Sequence, residues 1–126
     1  MTTADRIVEG APSIEALEAG VRQNPDEVEP LRNLGWGHYG RGQTQQAIEV
    51  FRRATERFSS DAESYYALGL ALVRAGDQQE AAKQAFQRAV ELADSIPGKV
   101  RADMLRKLAM GHLNQIDHGR WDIRAL

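Results

Sequence analysis

Two consecutive segments decide the fold of this chain: DEVEPLRNLGWGHYGRGQTQQAIEVFRRATERFS, residues 26–59, and SDAESYYALGLALVRAGDQQEAAKQAFQRAVELAD, residues 60–94. A shift of 34 residues brings the first segment onto the second, with one extra residue after Gly76. The matching pairs are Leu34-Gly35 with Leu68-Gly69, Gly42 with Gly76, Ala47 with Ala82, Phe51 with Phe86, and Ala54 with Ala89. A repeat of this period is typical of proteins whose units stack side by side and bury a shared core.

Both segments resemble the tetratricopeptide repeat. The family motif is a large residue, Leu-Gly, an aromatic residue, Gly, Ala, a second aromatic residue, Ala and Pro. The first segment fills these positions with Leu31, Leu34, Gly35, His38, Gly42, Ala47, Phe51, Ala54 and Ser59, and the second with Tyr65, Leu68, Gly69, Leu72, Gly76, Ala82, Phe86, Ala89 and Asp94. The departures are His38 and Leu72 at the first aromatic position, and Ser59 and Asp94 at the closing Pro. The resemblance implies an all-α fold, a superhelix of helical hairpins.

The resemblance also implies a single repeat domain over residues 13–126, behind a flexible arm of residues 1–12. Residues 13–25 are expected to form a capping helix, because Ser13 suits a helix start and Asn24-Pro25 a helix end. The remaining units are a first repeat at 26–59, a second at 60–94, and an insertion with a truncated third repeat at 95–126, which together make about two and a half to three repeats. In the third unit the landmark positions fall on Leu105, Leu108, Ala109 and His112.

Within each repeat a front helix and a back helix are predicted. The front helices are expected at 27–40, 61–74 and 100–116, and the back helices at about 44–58 and 78–93. Three capping boxes are predicted at the helix starts, in the pairs Asp26 and Glu29, Ser60 and Glu63, and Asp77 and Glu80. Gly42 and Gly76 are predicted to end the front helices in the left-handed conformation. Small residues such as Gly35 and Ala54 allow close helix approach, and Phe51 and Phe86 fill the space between units.

Composition limits the possible functions. The chain has 126 residues, 42% of them apolar, a formal net charge of −2 and no cysteine. Charges of both signs are interspersed, so a nucleic-acid partner is not expected. The N-terminus lacks the features of a signal peptide, and the longest apolar run, residues 65–73, is too short to span a bilayer. These observations predict a cytoplasmic protein without membrane insertion.

No motif predicts catalysis, a metal site or a cofactor. His38 and His112 fall at core-facing positions of their repeats, where a partly buried ring in place of Tyr explains them. His112 and His118 lack the spacing of a paired metal site. No nucleophile elbow or phosphate-binding glycine loop accompanies them. The expectation is a protein that is not an enzyme, with no metal and no cofactor.

The resemblance implies a concave groove lined by fixed positions of the front helices. Carried over residue by residue, these positions give a candidate partner-binding set: Arg32, Asn33, Trp36, Tyr39, Tyr66, Leu70, Val73, Arg74, Arg106 and Met110. Aromatic and aliphatic side chains bordered by arginines suit an amphipathic helix or an extended apolar peptide. The alternative is that some of these side chains simply pack between adjacent helices. A subclass of the family clamps chaperone C-termini with Lys and Asn, but those positions here hold Arg32, Trp36 and Ala67, so that ligand is not expected.

The third unit leaves an apolar flank on its front helix. Either the tail covers this flank through Trp121, Ile123 and Leu126, or another chain does, which makes a homodimer possible. The function predicted from the sequence is a non-catalytic adaptor that binds a peptide or helix of a partner protein. Two alternatives stay open: a self-assembling scaffold unit, and a secretion-type chaperone for an apolar client segment.

Overall fold

The computed structural model describes residues 10–122, which form six α-helices and one short 3₁₀ turn. The helices are α1 (Ile14–Gln23), α2 (Val28–Gly40), α3 (Thr44–Arg57), α4 (Ala62–Ala75), α5 (Gln79–Leu92) and α6 (Lys99–His118), and the 3₁₀ turn is Ala93–Ser95. The predicted all-α helical-repeat fold is confirmed, and the helix bounds agree with the predicted ones to within about two residues. The predicted N-terminal arm lies, up to residue 9, outside the described residues.

Each helix packs mainly on the next one along the chain. The pairs α2–α3 and α4–α5 form two helical hairpins, and α1 and α6 lie before and after them. The front helices α2, α4 and α6 also contact one another in sequence order, so they form one layer of the stack. In the part of the chain that is described, no helix combines the length and apolar character needed to cross a membrane.

The predicted left-handed glycines after the front helices are confirmed, Gly76 as the C-cap of α4 and Gly42 one residue after Arg41, the C-cap of α2. Gly42 and Gly76 have φ values of 75° and 87°, in the left-handed region that only glycine enters at little cost. Gly119 ends α6 in the same conformation, with φ of 71°. The predicted cap of α1 is also confirmed, because the Ser13 side chain accepts a hydrogen bond from the backbone N–H of Ala16.

The three predicted capping boxes are wrong. The N-cap residues of α2, α4 and α5 are Glu27, Asp61 and Gln78, each one residue later than predicted. Only Asp61 caps with its side chain, which accepts from the backbone N–H of Ser64 at 3.0 Å. Two of the predicted capping residues have other partners, since Asp26 pairs with Arg57 and Glu63 pairs with two arginines.

An aromatic ring lies on a glycine in both hairpins. A Cβ atom added to Gly35 would lie 2.6 Å from Cδ1 of Phe51, and one added to Gly69 would lie 2.6 Å from Cε1 of Phe86. Both phenylalanines are completely buried. Glycine is therefore required at the second position of the Leu-Gly pair, because a methyl group there would overlap the ring that fills the hairpin.

The third unit repeats this contact with a residue from the tail. A Cβ atom on Gly111 of α6 would lie 2.6 Å from Cη2 of Trp121, so Gly111 corresponds to Gly35 and Gly69. The predicted register of this unit, which placed Ala109 at that position, is wrong by two residues. Leu108-Ala109 resembles the Leu-Gly pair in sequence, but Leu108 is 37% exposed, whereas Leu34 and Leu68 are buried.

We expect Gly35→Ala to lower the free energy of unfolding by about 1–3 kcal/mol, because the added methyl group overlaps Phe51. Alanine is otherwise the better helix former by about 1 kcal/mol. Gly20→Ala in α1 is the matched control, since nothing lies within 4 Å of a Cβ atom there, and it should raise stability. Urea unfolding followed by circular dichroism measures both, and equal effects would contradict the ring-on-glycine account.

Candidate functional site

A cleft of about 210 Å³ opens between the front helices. Helix α2 contributes two residues, α4 two, α6 four, and the loop before α6 one. The lining residues are Arg32, Trp36, Glu63, Tyr66, Ile96, Arg101, Met104, Leu105 and Leu108. Most of these side chains are apolar, and three of the apolar ones are exposed: Met104 at 58%, and Trp36 and Leu108 at 37% each.

Trp36 is held in place by two other aromatic rings. Its ring contacts Phe51 edge-on at 5.0 Å between centroids and Tyr39 edge-on at 5.3 Å. Such edge-to-face pairs add about 0.5–1.5 kcal/mol each beyond the burial of their area. The indole is therefore positioned by the core beneath it while more than a third of its surface stays open to solvent.

A second cleft, of about 330 Å³, lies on the other side of Trp36. It is formed where the segment before α1 meets α2, and its lining is Ala11, Pro12, Leu17, Asn33, Trp36, Gly37 and Arg41. Arg41 donates hydrogen bonds of 2.9 Å to the backbone carbonyls of Gly37 and Pro12, which ties the two segments together. Trp36 thus separates two neighbouring clefts on one surface.

The charged groups of the first cleft pair with one another. Arg32 contacts Asp61 at 3.1 Å and Glu63 at 2.6 Å, and Arg101 contacts Glu63 at 2.6 Å. The charges of two arginines and two carboxylates therefore cancel within this network. A partner group entering the cleft meets apolar surface and a neutral rim.

Arg74 lies at the other end of the same surface. Its guanidinium carbon is 3.3 Å from the centroid of the Tyr39 ring, and Nη1 donates a 2.6 Å hydrogen bond to the Tyr39 carbonyl. Stacking on an aromatic face is favourable for a guanidinium, by about 0.5–1 kcal/mol at an exposed site. Arg74, Tyr39 and Trp36 therefore form a continuous row of contacts that ends at the cleft.

The structure brings together only part of the predicted groove set. Arg32, Trp36 and Tyr66 line the first cleft, and Asn33 lines the second. Three others, Leu70, Val73 and Met110, are partly buried against the core. Arg106 pairs with Asp94 and with Asp103, and it is not among the cleft residues.

The predicted groove set lacks six of the nine lining residues, namely Glu63, Ile96, Leu105, Arg101, Met104 and Leu108. The last three follow one another at spacings of three and four residues, which is the spacing of one helix face. With the register of α6 set on Gly111, this face turns toward the front-helix surface. The spacing was visible in the sequence, but the direction in which this face points could be assigned only from the position of α6 against its neighbours.

The two histidines that the sequence placed at landmark positions take part in packing. His38 shares a 2.7 Å hydrogen bond between Nδ1 and Oε1 of Gln43. His112 stacks on Phe86 at 4.7 Å with nearly parallel rings, and its Nε2 shares a 3.2 Å hydrogen bond with the Tyr66 hydroxyl. Burial raises the pKa of Tyr66 and lowers the pKa of His112. Among residues 10–122, no three His, Cys, Asp or Glu side chains come together as metal ligands.

Trp121 covers the outer side of α6 in its own chain. Its ring meets His112 edge-on at 4.7 Å, and it lies on Gly111 while 45% of its surface stays exposed. Asn114 donates a hydrogen bond to the carbonyl of Asp122, which holds the next residue of the tail. Ile123 and Leu126, which the sequence offered with Trp121 as cover for this flank or as possible self-association residues, lie outside the described residues.

Stacked helical hairpins with an open, partly apolar surface on the front-helix layer define a helical-repeat protein of the kind that binds other proteins. A family profile described as the tetratricopeptide repeat matches residues 32–97. The chain belongs to the tetratricopeptide repeat family, whose repeats generally mediate protein–protein interaction.

One curated relative is the BBSome complex member BBS4 homolog of Drosophila melanogaster. It is 32% identical to this chain over an alignment of 107 residues, and the match covers 75% of this chain and 22% of the relative. The chain therefore spans about a fifth of the length of that protein.

The pKa of His112 gives the fold a pH dependence. Because burial lowers this pKa below its ordinary value of 6.5, the contribution of the neutral ring is complete above pH 6.5. It is lost as the pH falls below that value, since the unfolded chain then binds the proton more tightly. We expect the stability difference between the wild type and His112→Gln, measured by urea unfolding, to shrink on acidification. Parallel pH profiles for the two proteins would contradict this expectation.

Proposed function

We propose that this chain is a non-catalytic interaction module that binds a peptide or helix of a partner protein in the groove formed by the two clefts at Trp36. The observation that carries this proposal is the state of Trp36. Its indole is fixed by Phe51 and Tyr39, separates two clefts, and remains 37% exposed. Trp is among the residues most enriched at the energetic centres of protein-binding surfaces.

The size of the first cleft suits a side chain better than a small molecule. Small-molecule sites usually measure about 300–1,000 Å³, whereas this cleft holds about 210 Å³. An apolar side chain of the partner would cover Met104, Leu108 and one face of Trp36 together. Because the cleft is already formed in the free chain, little ordering of these side chains opposes binding.

Two further observations agree with this proposal. The family generally mediates protein–protein interaction, and the fly relative is named as a member of a protein complex. We infer that this chain is likewise a subunit or adaptor in an assembly, without assigning it the partners of that relative. A cytoplasmic location belongs to the same proposal and rests on the absence of cysteine from the sequence.

The proposal does not extend to the two alternatives. Self-association through the tail would use Trp121, which already lies on Gly111 and His112 of its own chain. A chaperone for an apolar client would use the same groove, and no observation favours it over an adaptor. Both alternatives predict behaviour that the experiment below distinguishes, because neither depends on a selective peptide.

The test is to select peptides from a random phage-displayed library on the immobilised chain, and to measure the affinity of the synthetic peptides by fluorescence anisotropy. We expect Trp36→Ala to weaken binding about 30-fold, as truncation of a central aromatic residue commonly does. Gln87→Ala, at an exposed position of α5, is the control and should change nothing. Circular dichroism checks that both variants are folded. Selected peptides that bind Trp36→Ala as tightly as the wild type would overturn the proposal.

A further inference from the structure

The groove arginines differ in how their charges are balanced. Arg32 and Arg101 pair with carboxylates, as described above. Within residues 10–122, Arg41 and Arg74 form no ion pair, and their hydrogen bonds go to backbone carbonyls. One end of the groove is therefore neutral, and the other end carries two cations without counter-charges.

The helix ends at this position do not cancel the two cations. Helices α2 and α4 end here, at Gly40 and Ala75, and each helix C-terminus carries about half a negative charge. Two guanidinium groups carry about twice that sum, so the helix ends alone do not neutralise them. Their field favours an anionic group on whatever occupies the surface.

Arg74 has the geometry of a prepared anion-binding group. A guanidinium has five N–H donors in a fixed plane, and the Tyr39 carbonyl takes one of them. Stacking on Tyr39 fixes the plane, and the exposed residue keeps its remaining donors toward solvent. A carboxylate that binds here orders little that is not already ordered.

The distance to the cleft sets the spacing on the partner. Arg74 lies on Tyr39, and Tyr39 contacts Trp36 with ring centroids 5.3 Å apart. Residues one turn apart on a helix are about 5–6 Å apart, and those two turns apart about twice that. The anionic group and the apolar side chain in the cleft are therefore separated by one to two helical turns.

We propose that the partner segment carries an Asp or Glu side chain that binds Arg74, one to two turns from the apolar side chain that fills the cleft at Trp36. This inference rests on the proposed function, and it gives the groove a direction. The neutral end receives the apolar anchor and the cationic end receives the acid, so a segment with the same residues in reverse order does not fit both.

The probe is the same random phage-displayed library, selected in parallel on the wild type, Arg74→Gln and Arg53→Gln. Arg53→Gln removes the same charge from an exposed position of the back helix α3, so it is the matched control. We expect clones from the wild type and from Arg53→Gln to combine a bulky apolar residue with Asp or Glu at the stated spacing. Clones from Arg74→Gln should keep the apolar residue and lose the enrichment in acids.

A synthetic, C-terminally amidated peptide from the wild-type selection then measures the pairing directly. We expect Arg74→Gln to weaken its binding about three- to tenfold, with no further loss when the peptide acid is changed to the amide. Additive losses from the two changes would overturn the inference, as would acids enriched equally on Arg74→Gln or absent from the wild-type clones. Clones whose binding depends on Trp36 but not on Arg74 would contradict the inference and leave the proposed function intact. Clones whose binding does not depend on Trp36 would contradict both the inference and the proposed function.

Discussion

The contact of an aromatic ring with a glycine in the facing helix is the constraint on which this structure depends. Phe51 lies on Gly35, Phe86 on Gly69 and Trp121 on Gly111. In each unit the ring occupies the space that a Cβ atom would need, so the two elements approach more closely than side chains at both positions would allow. The first two rings come from back helices, and the third comes from the tail. One packing solution is therefore used three times, with a change of residue type and of local structure in the last case.

This contact also prepares the candidate groove. Phe51 is completely buried, and its ring supports Trp36, which in turn contacts Tyr39. The surface row of Trp36, Tyr39 and Arg74 is thus anchored in the same core that joins the hairpins. Rigid positioning of an exposed aromatic side chain lowers the cost of binding, because its rotamer is fixed before a partner arrives. The same packing therefore stabilises the repeat and fixes the side chains of the candidate groove.

The sequence predicted some parts of this structure better than others. Leu34-Gly35 and Leu68-Gly69 mark the repeat register in the sequence itself. The first two hairpins, and the left-handed glycines after their front helices, could therefore be predicted directly. The capping boxes could not be predicted in this way, and two of the predicted residues bind distant partners instead: Asp26 pairs with Arg57, and Glu63 pairs with Arg32 and Arg101. Competition from partners distant in sequence is invisible in a local motif. The register of α6 failed for a related reason, since Leu108-Ala109 looks like the motif while Gly111 makes its contact.

The sequence by itself determined the helical-repeat class, the bounds of the helices and the presence of Trp36, Arg32 and Tyr66 on one surface, because these depend on periodicities and on glycine conformations that act locally. Only the tertiary structure decided which face of α6 turns toward the cleft, and that face brings Arg101, Met104 and Leu108 into the lining. It also decided which arginines are neutralised and which are not. The physical reason is that ion pairing and cleft lining depend on distances between helices, and those distances are set by how the rings and glycines of neighbouring units fit together.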